Sequence, residues 1–200
     1  MSQFWDERFR SKTYVYGQTP NQYFAEQLKA LPTPGRLLLP MEGEGRNAVF
    51  AAEQGWEVEA FDASKEGIRK ARALAAERKV SFQYFQRTVE DFDYPPHRYD
   101  AIGLIFGHLS PELRPAFHQK LQESLKVGGS LIMELFHPDQ LGRPSGGPKV
   151  IEMLYDPDLL RADFPGLTFK ELKVQTITLD EGEYHQGEAV VTRAHAVRSQ

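Results

Sequence analysis

Apolar positions change their spacing several times along the chain, and each change marks an element. Asn21–Leu31 places Tyr23, Phe24 and Leu28 at helical spacing, and Pro32 and Pro34 end that run. Leu37-Leu38-Leu39, inside Arg36–Pro40, is an unbroken apolar run, as a strand covered on both faces requires. A glycine-containing turn follows, then a helix over Arg46–Gln54 stopped by Gly55. Glu57–Phe61 alternates polar and apolar and ends on Asp62, a second strand. Ser64 is placed to cap a helix whose apolar face is Ile68, Ala71, Leu74 and Ala75. Val80–Phe85 and Tyr99–Phe106 read as strands three and four. Ser110-Pro111 opens a helix with Leu113, Phe117, Leu121 and Leu125 every four residues, and Gly128-Gly129 stop it. Ser130–Phe136 is the fifth strand. The alternation of strand and helix predicts a parallel sheet with helices on both faces.

The last stretch breaks this rhythm. After a short helix over Asp158–Phe164, the β-rich runs Thr168–Leu179 and Ala189–Val197 are joined by Asp180–Glu188 and predict a closing antiparallel hairpin. The expected class is therefore α/β: a mostly parallel, doubly wound sheet of seven strands closed by a C-terminal hairpin. At 200 residues the chain is expected to form one domain over 1–200. Residues 1–31 supply an aromatic arm, with Phe4, Trp5, Phe9, Tyr14 and Tyr16, and a helix.

Composition narrows the chemistry. No cysteine is present, which excludes a disulfide framework, a thiolate nucleophile and cysteine-bound metal. Six histidines show no His-x-x-x-His spacing, so no metal site is expected. A net charge of −4 argues against a nucleic-acid partner. No stretch reaches the roughly 18 apolar residues that a membrane span needs. Asp6 and Glu7 in place of an apolar run argue against a signal peptide. The expectation is a cytoplasmic protein, a monomer or small homo-oligomer, acting on a small molecule.

The turn Met41-Glu42-Gly43-Glu44-Gly45-Arg46-Asn47-Ala48 joins strand one to a helix. Gly43 and Gly45 let the backbone approach a ligand closely. The first N–H groups of the helix favour an anion. Asp62, about 20 residues further on, is placed to accept two ribose hydroxyls. Gly43-x-Gly45-x-x-Ala48 also satisfies the dinucleotide fingerprint, so NAD stays open at this point. Against it, Glu42 and Glu44 would crowd a pyrophosphate, whereas Glu42 would attract a sulfonium cation.

Several segments together resemble the class I S-adenosylmethionine (SAM)-dependent methyltransferases, in particular their tellurite-resistance and thiopurine methyltransferase-like group. Gly43–Ala48 is similar to the glycine loop of that group. Tyr99-Asp100-Ala101-Ile102 looks like its fourth-strand signature, and Leu125-Lys126-Val127-Gly128-Gly129 like its turn before strand five. Trp5-Asp6-Glu7-Arg8-Phe9 and Tyr16-Gly17-x-x-Pro20-Asn21 resemble its opening. The chain departs from the pattern where Leu39 replaces the usual strand-one acid, Met41 the first loop glycine, and Glu42 the residue after it.

The resemblance implies a Rossmann-like fold with SAM as cofactor. Gly43 and Gly45 would meet its methionine part, with Glu42 standing in for the missing acid on the amino group. Asp62 would hold the ribose. Ala63, Val89 and Glu90 would surround the adenine, and Phe106 would lie under the methionine part. The arm is expected to act as a lid, with Trp5, Tyr14 and Tyr16 near the sulfonium, a cation attracted to ring faces. His108 after strand four and His137 after strand five are the catalytic candidates, facing the methyl acceptor. The expected reaction is methyl transfer to a small acceptor, a thiol or chalcogen species, because no metal motif or firmly placed base serves a harder nucleophile. A macromolecular acceptor, or a non-catalytic SAM- or nucleotide-binding protein of the same fold, are the alternatives.

Overall fold

A computed structural model describes residues 2–199; Met1 and Gln200, the two ends of the expected domain, lie outside the described residues. One sheet of seven strands runs through it: β1 (Arg36–Pro40), β2 (Glu57–Asp62), β3 (Gln83–Gln86), β4 (Tyr99–Ile105), β5 (Leu125–Phe136), β6 (Leu167–Asp180) and β7 (Gln186–Arg198). Their order is β3-β2-β1-β4-β5-β7-β6. The first five are parallel, while β7 is antiparallel to both β5 and β6, as the closing hairpin predicts. The chain leaves β1 in one direction and returns to its other side at β4. The crevice at that switch, beyond the C-terminal strand ends, is where such sheets receive ligands.

The sheet is covered on both faces. Leu38 packs with Ile102, Phe117, Leu121, Leu131 and Phe164. Leu37 and Leu39 point the other way, against Phe24, Ala48, Ala51 and Ile68. Among the described residues there are six α-helices, of which all but the first supply these faces: α1 (Ser2–Phe9), α2 (Gln22–Ala30), α3 (Arg46–Glu53), α4 (Lys65–Arg78), α5 (Arg114–Ser124) and α6 (Pro157–Asp163). Asn21, Ser64 and Asp156 cap α2, α4 and α6 with side-chain acceptors. Among the described residues no helix is long and apolar enough to cross a membrane.

Three elements differ from the sequence expectation. Ser110-Pro111 does not open α5; turn bonds to the Ser110 carbonyl occupy that stretch, and the helix starts at Arg114. Gly128-Gly129 do not stop it. The chain is already extended at Leu125, and both glycines lie inside β5. The aromatic arm is less peripheral than its polarity suggests, because it contains α1 and buries Phe9 and Val15.

Candidate functional site

The glycine turn follows β1 at the C-terminal end of the sheet. Met41, Gly43 and Gly45 all have positive φ, at 52°, 59° and 86°. Met41, which stands where the resembling loop has a glycine, thus lies in a region L side chains rarely adopt. The turn is held from outside. Asp62 accepts from Gly43 N at 2.9 Å and from Ser64 N at 2.8 Å, and Tyr84 donates its hydroxyl to the Gly43 carbonyl at 2.6 Å. Burial pushes Asp62 up to about 6, against the backbone N–H bonds that favour its ionised form.

What the glycines make room for is mostly protein. A Cβ on Gly45 would stand 2.5 Å from that of Ala71, so this glycine lets α3 start against α4. A Cβ on Gly43 would stand 3.1 Å from the ring of Phe9, which lies over the turn. The helix N-terminus is not free for a ligand anion either. Glu42 fills it, accepting from Asn47 N at 2.9 Å and Ala48 N at 2.8 Å, and burial pushes this carboxyl up to about 7.

Glu44 fastens the arm. It pairs with the buried Lys70 at 2.6 Å and accepts from Val15 N and Tyr16 N, while Lys70 donates to the Thr13 carbonyl. Asp6 makes a second tether, accepting from Ser64 Oγ at 2.6 Å. The two ties bring Trp5 and Tyr16 inward but not Tyr14. Tyr14 packs outward with Val49, Leu74 and Ala75 and donates to the Lys70 carbonyl at 3.0 Å, so its expected contact with the cofactor is corrected.

Beside the turn lies a cluster of rings. Trp5 stacks on Phe9, and Phe9 meets Tyr16 edge-on. Tyr16 and Phe106 lie 4.5 and 4.6 Å from His185, and Phe106 is also 4.6 Å from Phe136. Phe106, at the end of β4, has φ of 50°, a second strained residue at this edge. His185 comes from the turn between β6 and β7 and was not anticipated. Its Nδ1 is 3.5 Å from Glu181, which pairs with Arg46 at 2.8 Å. Burial alone would raise Glu181, but His185 and Arg46 hold it down at about 2. The spacing Glu181-x-x-x-His185 was the available signal. Gly17 and Gly182 bring arm and hairpin together: a Cβ on Gly182 would stand 2.5 Å from the Val15 carbonyl oxygen.

The two histidines expected to face the acceptor are placed otherwise. Phe136 N–H donates to His108 Nε2, so Nδ1 carries the proton and donates to the Met153 carbonyl at 2.7 Å. Burial pulls His108 down to about 4. It is a neutral imidazole with both nitrogens engaged, so neither is left to meet an acceptor. His137 accepts from Asp139 N and caps the short turn Pro138–Gln140. Of the adenine candidates, Ala63 is half-buried and Glu90 exposed, while Val89 is packed in the core with its carbonyl accepting from Tyr94.

Residues 41–129 match a family model described as a methyltransferase domain. Thiocyanate methyltransferase 1 of Brassica oleracea is 31% identical over 143 residues, which are 68% of this chain and 62% of that protein. Probable thiol methyltransferase 2 of Arabidopsis thaliana is 31% identical over 118 residues, 57% of this chain and 50% of that protein. The chain thus spans only half to three fifths of the curated relatives it matches. The crystal structure of TehB from Haemophilus influenzae superposes with a TM-score of 0.72 at 14% identity, covering 100% of this chain and 67% of that one. Residues 41–129 are a class I SAM-dependent methyltransferase domain, and of the two readings of the glycine turn this match favours SAM over NAD.

Proposed function

We propose that this chain, whose central domain is that of a class I methyltransferase, transfers a methyl group from SAM to a small, soft nucleophile: a thiol or another chalcogen species. The observation that carries this reading is the ring cluster of Tyr16, Phe106, Phe136 and His185 beside the Asp62-held turn. Ring faces stabilise a sulfonium. Each oxygen of Asp62 accepts one backbone N–H and keeps a further lone pair, which suits two ribose hydroxyls. Ala63, Val89 and Glu90 border the place of the adenine by resemblance. By resemblance Glu42 and the turn of Gly43 and Gly45 border the methionine side, with Phe9 over Gly43 and Ala71 behind Gly45.

When bound, SAM supplies a methyl group already activated by the positive sulfur. What remains for the protein is alignment and exclusion of water. Phe9 over Gly43, and Tyr16 against His185, make the arm of residues 1–31 a lid that does both. His108, neutral and doubly bonded, shapes the wall and leaves the acceptor to arrive ionised. A thiol, with a pKa of about 8.5, meets that demand near neutral pH. The sulfur substrates in the names of the two plant relatives support the same class. A cytoplasmic single-domain protein, monomeric or a small homo-oligomer and without a nucleic-acid partner, completes the proposal.

The test is a labelled methyl-transfer assay with thiols, thiocyanate, selenite, tellurite, amines, phenols and carboxylic acids, after calorimetry with SAM and NAD. Turnover with sulfur or chalcogen acceptors is expected. Turnover confined to amines or carboxylates, or SAM binding with no turnover on any acceptor, would overturn it.

A further inference from the structure

The buried cations of the C-terminal end are matched to carboxylates. Lys70 has Glu44 at 2.6 Å, Arg46 has Glu181 at 2.8 Å and Arg193 has Glu134 at 2.5 Å. Arg8 is held in another way. Among the described residues no carboxylate lies within ion-pair distance of it. Its guanidinium carbon stands 4.3 Å from the ring centre of Tyr184, 4.7 Å from Phe4 and 5.5 Å from Trp5. Rings of the arm and of the β6–β7 turn therefore hold the charge between them.

This mode of holding leaves donors unspent. A guanidinium has five N–H groups in its plane, and ring faces draw on its charge without accepting those bonds in the plane. One N–H, on Nη1, goes to the Tyr16 hydroxyl at 3.0 Å. Tyr16 accepts there, so its own proton is free to be donated. The Tyr16 ring lies 4.5 Å from His185, inside the cluster described above. A full positive charge with spare N–H groups and a polarised O–H thus sit side by side at the rim of the proposed methyl-transfer site.

We propose that Arg8 and Tyr16 form an anion-recognition subsite, and that the acceptor is a small soft anion whose nucleophilic atom carries the charge, such as hydrosulfide, a thiolate or thiocyanate. The inference rests on the methyl-transfer reading of the site. Such an acceptor enters without a proton to lose, in keeping with a neutral His108. Its lone pair forms the new bond to the methyl carbon. The bond from that carbon to the sulfonium breaks, and its electron pair stays on the departing sulfur. Anion and cation become two species without those charges, so the methylated product loses its attraction to Arg8 and is released.

The experiment measures binding, not turnover. The full chain is saturated with S-adenosylhomocysteine, and calorimetry follows thiocyanate and hydrosulfide, with neutral dimethyl sulfide as comparator. Arg8→Met is expected to weaken both anions at least about tenfold, Arg8→Lys to restore part of that loss, and Tyr16→Phe to cost less than Arg8→Met. Dimethyl sulfide and S-adenosylhomocysteine affinities are expected to change less than about twofold, with the melting temperature reporting on folding. Equal losses of anion and S-adenosylhomocysteine affinity would show that Arg8 merely closes the arm. Unchanged anion affinity in Arg8→Met, or no anion binding to the wild type loaded with S-adenosylhomocysteine, would overturn the subsite. Failure of the wild type to bind S-adenosylhomocysteine would instead overturn the methyltransferase reading beneath it.

Discussion

The two ends of the sheet are both rich in charge, and they use it differently. At the N-terminal end a groove of about 620 Å³ is lined by Arg36, Glu57, Arg98, Asp100 and Lys126. Each cation there faces one carboxylate: Arg36 with Glu57, Arg98 with Glu59, and Lys126 with Asp100. Two of the pairs close on themselves in solvent and the third closes on the buried Glu59, so they leave little charge to offer a ligand. At the C-terminal end the carboxylates are buried, several bind backbone N–H groups instead of cations, and Arg8 is left to aromatic rings. This groove is thus not the better candidate. Unspent hydrogen-bonding capacity and desolvation separate the two ends.

The strongest way to break this contrast is at Glu44. Glu44→Ala strands the buried Lys70 and frees the arm, and a loss of about 3–5 kcal/mol is expected, as for other broken buried pairs. Denaturant unfolding checks it; a loss under about 1 kcal/mol would make the pair equivalent to those of the N-terminal end. Next comes Asp62→Ala. If Asp62 holds two ribose hydroxyls by charge-assisted bonds of about 1.5–3 kcal/mol each, SAM affinity falls by more than tenfold. Calorimetry on a variant shown to be folded decides it, and unchanged affinity would remove Asp62 from the site.

A third prediction uses pH. The folded state keeps a proton on Asp62 up to about 6 and on Glu42 up to about 7, whereas the unfolded chain releases both near ordinary carboxyl values. At these two groups the unfolded state therefore binds fewer protons in that window, and their contribution to stability falls as pH rises from about 4 to about 7, while His108, held down at about 4, contributes in the opposite sense. Ribose hydroxyls donated to Asp62 favour its ionised form, so SAM affinity rises as pH climbs through about 6. A Glu42→Gln variant whose melting temperature keeps the wild-type pH dependence over this range, or a SAM affinity that falls with rising pH, would contradict the assignment. The smallest effect is expected at the other end. Lys126→Met removes half of a solvent-exposed pair and changes stability by about 0–1 kcal/mol, with methyl transfer unaltered. A large loss of activity would move the functional end of the molecule.

The fold was legible because its signals are local. Leu37–Leu39, the alternation before Asp62, the Ser64 cap and the two β-rich runs after residue 167 each act within a few residues. The turn at 41–48 was legible as a turn, but not what fills it. Nothing in Gly45 announces Ala71, and nothing in Glu42 says that its carboxylate folds back onto Asn47 and Ala48. His108 reads as a loop histidine after a strand, and only the distant Met153 and Phe136 show that both nitrogens are taken. His185 escaped notice for the converse reason. It lies far along the chain from the turn, and its importance comes from Tyr16 and Phe106, which the fold brings to it.

The contact between Gly17 and Gly182 bears on biosynthesis. A ribosome exposes the aromatic arm well before the β6–β7 turn, yet the two meet in one contact. Until the hairpin emerges, Tyr16 has no His185 to meet and Arg8 has no Tyr184. The glycine turn and Asp62 can assemble much earlier, from sequence neighbours. Docking of the arm is therefore expected to wait for the emergence of residues 182–185, a contact of long sequence separation that forms later than the local ones.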